Sequence, residues 1–181
     1  MPVRRFAAAS TGSIWDSAVL TVRKARSEDA EEVARVFAAV AEEGWIAAEP
    51  PVDVAARAEQ FREMTGSGGP AALWVLEDDD EIVGLAAVSE SIAPGVLGFG
   101  MSILAEARGR GGGRALLDAI LAHAGACGAH KVELEVWPDN ARAIALYLSA
   151  GFEVEGMRRD HYRRRDGSLR SALIMGRPVS K

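Results

Sequence analysis

The stretch Arg108-Gly109-Arg110-Gly111-Gly112-Gly113-Arg114 decides the reading of this chain. An apolar run, Val96–Leu104, precedes it, and a helical pattern, Ala115–Ala126, follows it. A strand, a glycine turn and a helix N-terminus in succession direct bare backbone N–H groups toward an anion. Glycine lets a phosphate approach the backbone closely and tolerates the positive φ of such a turn. Arg108, Arg110 and Arg114 add positive charge at the same end. A phosphorylated ligand is the expectation. A Walker A loop is excluded, because no Gly-Lys-Ser/Thr follows. A dinucleotide fingerprint would want an early strand and an acidic residue ending the second strand about 20 residues on. A bland glycine-rich surface turn has the same local composition, so the flanks must separate the two readings.

Upstream lies Gly98-Phe99-Gly100-Met101-Ser102-Ile103-Leu104. Downstream come Glu133-Leu134-Glu135-Val136-Trp137-Pro138-Asp139-Asn140, then Ala141-Arg142-Ala143-Ile144-Ala145-Leu146-Tyr147, then Ala150-Gly151-Phe152-Glu153-Val154-Glu155-Gly156. With these flanks, Arg108-x-x-Gly111-x-Gly113 resembles the coenzyme A pyrophosphate loop of the GNAT superfamily of N-acetyltransferases. The resemblance covers residues 21–178 and is densest from 97 to 157. It departs at Gly112, where an aliphatic residue is usual in that superfamily. Consecutive glycines weaken a first helical turn by about 0.5–1 kcal/mol each relative to alanine, so a looser anchor is expected there.

The 181 residues suffice for one domain with a proper core. The chain is 49% hydrophobic and 26% charged, an ordinary globular balance. A net charge of −5 argues against general nucleic-acid binding, which needs a basic footprint. Cys127 is the single cysteine, which rules out an intrachain disulfide and makes a cytoplasmic setting the default expectation. No apolar stretch approaches membrane-spanning length. Residues 1–20 read as a flexible N-terminal extension, because the apolar run after Arg4-Arg5 is broken by Ser10-Thr11-Gly12-Ser13. Residues 21–181 then form a single domain.

Periodicity gives the element order. Thr21–Arg26 reads as a strand, followed by a helix capped by Ser27 with an apolar stripe at Val33, Val36, Phe37, Val40 and Ala41. Val52–Met64 is a second helix, and Ala71–Glu77 and Ile82–Ser89 are strands around an acidic turn. After the central strand Val96–Leu104 and the helix Gly113–Gly125, Lys131–Val136 alternates strictly. Val132, Leu134 and Val136 share one face, and Glu133 and Glu135 share the other. A helix over 140–150, with Asp139 as its cap, and strands Phe152–Arg163 and Leu169–Arg177 complete the chain. The resemblance implies the GNAT fold. It is an α/β (α+β) architecture with a mixed, mostly antiparallel sheet of about six or seven strands, splayed at the centre and flanked by about four helices.

Acyl transfer from a thioester to an amine has two proton problems. The amine must lose a proton before attack, and the thiolate, of pKa about 8.5, leaves more easily if protonated. The resemblance assigns Tyr147 as general acid, a phenol that carries its proton at neutral pH. It assigns Glu135 as general base, with a water chain or a backbone carbonyl as the competing route. Asn140 precedes Tyr147 by two helical turns, so the two share a face; it matches an asparagine that binds the coenzyme. Asn140 as a cap and Tyr147 as a core ring is the structural alternative. Met101, Ser102 and Ile103 match the strand segment that pairs with the pantetheine arm. Residues 109–114 (Gly109, Arg110, Gly111, Gly112, Gly113 and Arg114) are expected to hold the pyrophosphate, with Arg108 and Arg114 as side-chain help. Acetyl-CoA is the implied co-substrate, and no metal is implied.

The acceptor end is expected between Glu43–Pro51 and His161–Ser171. The first end offers Glu42, Glu43 and Glu49 for an ammonium group and Trp45 to stack on it. The second offers His161, Tyr162 and Arg163-Arg164-Arg165, the arginines for a carboxylate. A small primary amine or amino acid is the leading acceptor, and a protein N-terminus or lysine the second. An open groove near Trp45 would favour the protein and a closed pocket the small molecule. A non-catalytic acyl-CoA-binding module is the reading from another class. Pairing into a homodimer is compatible with the resemblance; nucleic-acid and membrane partners are not expected.

Overall fold

A computed structural model describes residues 20–66 and 68–179. The expected extension lies outside the described residues except for Leu20. Seven strands and four α-helices follow in the order β1 (Thr21–Lys24), α1 (Ala30–Glu42), α2 (Val54–Gly66), β2 (Ala72–Asp78), β3 (Glu81–Glu90), β4 (Val96–Ile103), α3 (Gly112–Ala126), β5 (Lys131–Val136), α4 (Ala141–Ser149), β6 (Glu153–Arg163) and β7 (Leu169–Pro178). Single turns of 3-10 helix over Ser27–Asp29 and Ala105–Ala107 lead into α1 and toward α3.

The sheet runs β1-β2-β3-β4-β5-β7-β6. All neighbours are antiparallel except β4 and β5, which run parallel. That one parallel pair is short, joining only Val96–Gly98 to Lys131–Glu133. Beyond it, Phe99–Ile103 pair with β3 alone, and Leu134–Val136 pair with β7 alone. The edges of β4 and β5 that would face each other there do not pair with one another, the splay that the resemblance implied. The rings of Phe99, Tyr147 and Phe152 meet edge-on or tilted, with centroids 5.8–5.9 Å apart, where the strands part.

Alternation along the strands divides the core in two. On one face Trp74, Leu76, Leu97, Val132 and Leu134 pack under Leu116, Leu117 and Ile120 of α3 and Tyr147 of α4. On the other, Leu73, Val75 and Leu85 pack under Val33 and Val36 of α1 and Ala58 and Phe61 of α2. Each large buried aliphatic or aromatic side chain contributes about 1.5–3 kcal/mol.

Two expected caps are corrected. Ser27 does not cap α1. The carboxylate of Asp29 accepts from Arg26 N at 2.6 Å and holds Arg23 by two contacts of 2.6 and 3.0 Å, so the turn is tied to β1. At α4 the cap is Asn140, whose Oδ1 accepts from Ala143 N at 3.2 Å. Asp139 is turned to the guanidinium of Arg170.

Candidate active site

The glycine turn joins β4 to α3 as its sequence requires. Gly109 and Gly111 adopt φ of +80° and +89°, and Gly111 is the residue from which α3 begins. A Cβ added to either would meet nothing within 4 Å, so the turn lies open to an approaching group. Arg114 N and Ala115 N donate to Gly111 O. The N–H groups of Gly109, Gly111, Gly112 and Gly113 have no acceptor among the described residues. They stand at the positive end of a 15-residue helix. Gly112 and Gly113 are glycine for another reason. A Cβ on Gly112 would press on the buried Leu76, and one on Gly113 would lie 3.1 Å from Leu146 Cδ2. Leu76 of β2 closes against the Gly112 position, so a side chain there would have to displace it.

A cleft of about 1480 Å³ opens beside this turn. It is lined by Gly98–Ile103, Arg108, Gly109, Gly111, Gly113 and Arg114 from the turn and its strand, by Glu133–Trp137 from β5, and by Asn140 and Tyr147 from α4. It is also lined by Phe37 and Val40 of α1, Arg57, Phe61 and Met64 of α2, and Trp45–Ala48 of the loop between them. The first set includes the α3/α4 face of the sheet and the second lies on the α1/α2 face. The cleft therefore passes through the gap between β4 and β5. Tyr147 belongs to the α3/α4 face, whereas Glu133 and Glu135 point to the other.

Tyr147 is buried, and burial pushes its phenol up to about 12. Asn140, capping α4, lines the cleft a helix length away. Glu135 accepts from Tyr162 Oη at 2.7 Å and pairs with Arg158 at 3.2 Å. Burial first, and then the bond to Glu135, raise the Tyr162 phenol to about 12. Tyr162 and Arg158 approach Glu135 from β6, where a bulge between Arg158 and Tyr162 resets the register. Neither had a signal in the sequence beyond its place near the last hairpin.

Several charged residues expected at the site are engaged with one another. Arg108 donates from Nε to Ile103 O at 2.8 Å and clasps Glu43 at 2.6 and 2.8 Å. Arg110 turns outside the cleft to Asp78, and Arg114 pairs with Asp118 one helical turn on. Glu49 pairs with Arg164 Nε at 2.8 Å and accepts from Arg165 N. The proposed acidic and basic poles of the acceptor end thus neutralise each other, and neither Glu43 nor Glu49 lines the cleft. His161 is exposed on β6 with Nε2 3.4 Å from Arg158 Nη1, and it too is absent from the lining. Trp45 does line it, half-exposed.

These contacts strap the Gly44–Pro51 loop to the β6–β7 hairpin. Gly44 O accepts from Trp137 Nε1 at 3.1 Å and from Arg170 Nη1 at 3.0 Å. Ala47 O accepts from Arg164 Nη1 at 2.9 Å, and Pro50 O from Arg165 Nη1. The indole of Trp137 is stacked by Arg170 at 4.7 Å and met edge-on by Tyr162 at 5.0 Å.

Known proteins are similar to this chain in sequence and in fold. A mycothiol acetyltransferase of Beutenbergia cavernae is 35% identical over 121 residues, 61% of this chain and 41% of the relative. A ribosomal protein bS18-alanine N-acetyltransferase of Escherichia coli is 38% identical over 82 residues, 45% of this chain and 55% of the relative. The matched part is thus about half the length of these curated relatives. A phosphinothricin acetyltransferase of Sinorhizobium meliloti, solved in complex with acetyl-CoA, has the same fold. Its TM-score is 0.77 at 24% identity, over 89% of both chains. The family model described as acetyltransferase (GNAT) family matches residues 30–152, from the start of α1 to the last ring of the aromatic cluster, and the chain belongs to that family.

Proposed function

We propose that the protein is an acetyl-CoA-dependent N-acetyltransferase that acetylates a primary amine of a small molecule. The observation that carries this reading is the passage of one cleft through the sheet. The open N–H groups of the glycine turn, and Asn140 and Tyr147 of α4, lie along one side; Glu135 lies on the other. A thioester laid along β4 from the turn and an amine entering from the α1/α2 face meet in the gap between the strands. The edge of β4 over Met101–Ile103, which β5 does not pair, suits the amide groups of a pantetheine arm. Gly109, Gly111 and Gly113 suit its pyrophosphate. Acetyl-CoA supplies the activated acyl group.

The proton steps fall to residues on opposite faces. Glu135 accepts the proton from the attacking ammonium. Its carboxylate is held in place at the cleft by Tyr162 and Arg158. The buried Tyr147 keeps its proton at every working pH and delivers it to the departing sulfur. The strap over Trp45–Ala48 supports a small acceptor over a protein segment, because a peptide would need that loop displaced.

The experiment is thiol release from acetyl-CoA against amino acids, polyamines, aminoglycosides and N-terminal peptides, beside calorimetric binding of acetyl-CoA. Release with one small-amine class is the expected result. Release with peptides alone would move the acceptor to a protein, and tight binding without release across the panel would leave a non-catalytic module. Gly111→Asp, which sets a carboxylate in the open turn, should abolish coenzyme binding; unchanged affinity would overturn the assignment of residues 108–114.

A further inference from the structure

Arg57 of α2 stands apart from the other cleft-lining arginines of the acceptor side. Arg108 and Arg158 each pair with a carboxylate, at 2.6 and 3.2 Å. Arg57 has no carboxylate within 4.0 Å among the described residues. Its one acidic neighbour on the helix face, Asp53 at i−4, is turned to the helix end, where Oδ1 accepts from Ala56 N at 3.0 Å. The guanidinium is half-buried and lies over the ring of Phe37 at 4.5 Å, with Phe61 at 5.8 Å. The two rings hold each other edge-on. Stacking fixes the plane of the fork and removes water from one side of it, while its N–H donors still border the cleft. A planar fork shielded on one face and without a counter-charge is a bidentate receptor for a carboxylate or an oxyanion of like geometry.

Across the cleft, Glu133 and Glu135 present carboxylates from β5. The wall between the two ends is apolar: Phe37, Val40, Trp45, Ile46 and Phe61. We infer that Arg57 is the specificity-determining residue for an acceptor that carries an anionic group, in the simplest case the carboxylate of an amino acid with an apolar side chain. The inference rests on the acetyl-transfer reading and deepens it. The ammonium group sits toward Glu135 and the anion on Arg57, so the acceptor bridges the cleft and is oriented with nitrogen toward the gap between β4 and β5. Arg57 touches the end of the acceptor remote from the reaction, so its effect falls on acceptor binding and not on the chemical step.

The test uses matched acceptors, phenylalanine against phenylalanine amide and methionine against methionine amide, with wild type, Arg57→Met and Arg57→Lys. Methionine keeps an apolar stem over Phe37 and removes the charge; thermal melting identifies a variant that has merely lost its fold. Wild type should prefer the carboxylates at least tenfold in kcat/KM. Arg57→Met should raise KM for the carboxylates tenfold or more, leave kcat within about twofold and leave the amides unchanged; Arg57→Lys should restore part of the preference. Equal loss for acids and amides, or no preference in wild type, would overturn the role of Arg57 while acetyl transfer stands. Calorimetric titration of N-acetylphenylalanine into the protein with coenzyme A separates the two readings. Binding that Arg57→Met abolishes, in a protein that releases no thiol with any amine, would keep the receptor and remove the acetyl transfer. No binding and no release would remove both.

Discussion

Tyr147 lies on the second turn of α4, edge to face with Phe99, and its hydroxyl makes no hydrogen bond among the described residues. Desolvation therefore acts on it unopposed and pushes the phenol up to about 12. An acid held that high is always loaded but gives its proton up reluctantly, so its value arises only as negative charge gathers on the departing sulfur. Tyr147→Phe should lower kcat by about 10²–10⁴ while acetyl-CoA affinity stays near wild type. Turnover within twofold of wild type would remove Tyr147 from the acid role. The raised value also has a stability consequence. The folded-state pKa lies above the unfolded value of about 10, so the phenol's contribution is fully present below pH 10 and is lost as pH rises toward 12. Wild-type melting temperature should fall more steeply than that of Tyr147→Phe between pH 10 and 12, which calorimetry across that range would register. By the same argument, any alkaline decline in activity below pH 10 belongs to another group.

At the scale of elements, the ends of β1 and α1 are joined by one carboxylate. Asp29 is buried to 8% exposure and accepts from the Arg23 guanidinium and from Arg26 N. The Arg23 bond first, with the backbone bond and charge adding against desolvation, holds its carboxyl below the ordinary range. Asp29→Asn should cost about 1.5–3 kcal/mol at pH 7 by urea titration. Because the folded pKa is depressed, that contribution is present above the unfolded value of about 3.9 and disappears as pH falls through the folded one. The deficit of the variant should therefore shrink in acid; a deficit independent of pH would point to packing alone.

The same elements mark what the sequence made legible. Lys131–Val136 matched to the residue, because strict period-two alternation leaves one register. The element order followed from such local signals. The caps were misplaced by one or two residues, because Ser27, Asp29, Asp139 and Asn140 are all competent acceptors and tertiary partners choose among them. Arg23 claims Asp29, and Arg170 claims Asp139. The glycine turn, β4, Asn140, Tyr147 and Glu135 converge on one cleft as their order suggested. The charge pairs did not show. Glu43 meets Arg108 across 65 residues and Glu49 meets Arg165 across 116, separations at which composition carries no information about partnership. Arg57 was invisible for the converse reason: a lone arginine on a helix with a weak apolar stripe looks like any solvated residue.

For the molecule as a whole, these long-range pairs fasten the lid of the acceptor end to its floor. The Gly44–Pro51 loop leaves α1 and reaches across to β7 and the last hairpin. It is held there by Trp137, Arg164, Arg165 and Arg170, while Arg108 anchors Glu43 beside the glycine turn. The turn and the start of the acceptor loop are thus joined by one ion pair, so order in one is felt in the other. One link is electrostatic: Arg164 and Glu49 keep only 11% and 21% side-chain exposure, but Ala47 O and Pro50 O hold the same hairpin, so global stability does not hinge on this pair alone. Glu49→Gln should then lower the melting temperature by no more than a few degrees, yet release the hairpin from the loop. Hydrogen exchange should quicken in residues 44–50 and 164–170 and stay unchanged in β4 and α3. KM for the acceptor should rise severalfold, with acetyl-CoA affinity preserved. If exchange quickened across the sheet instead, the pair would be a general support of the fold. If KM held while the loop loosened, the strap would not shape the acceptor pocket, and the case for a small, enclosed acceptor would lose its structural ground.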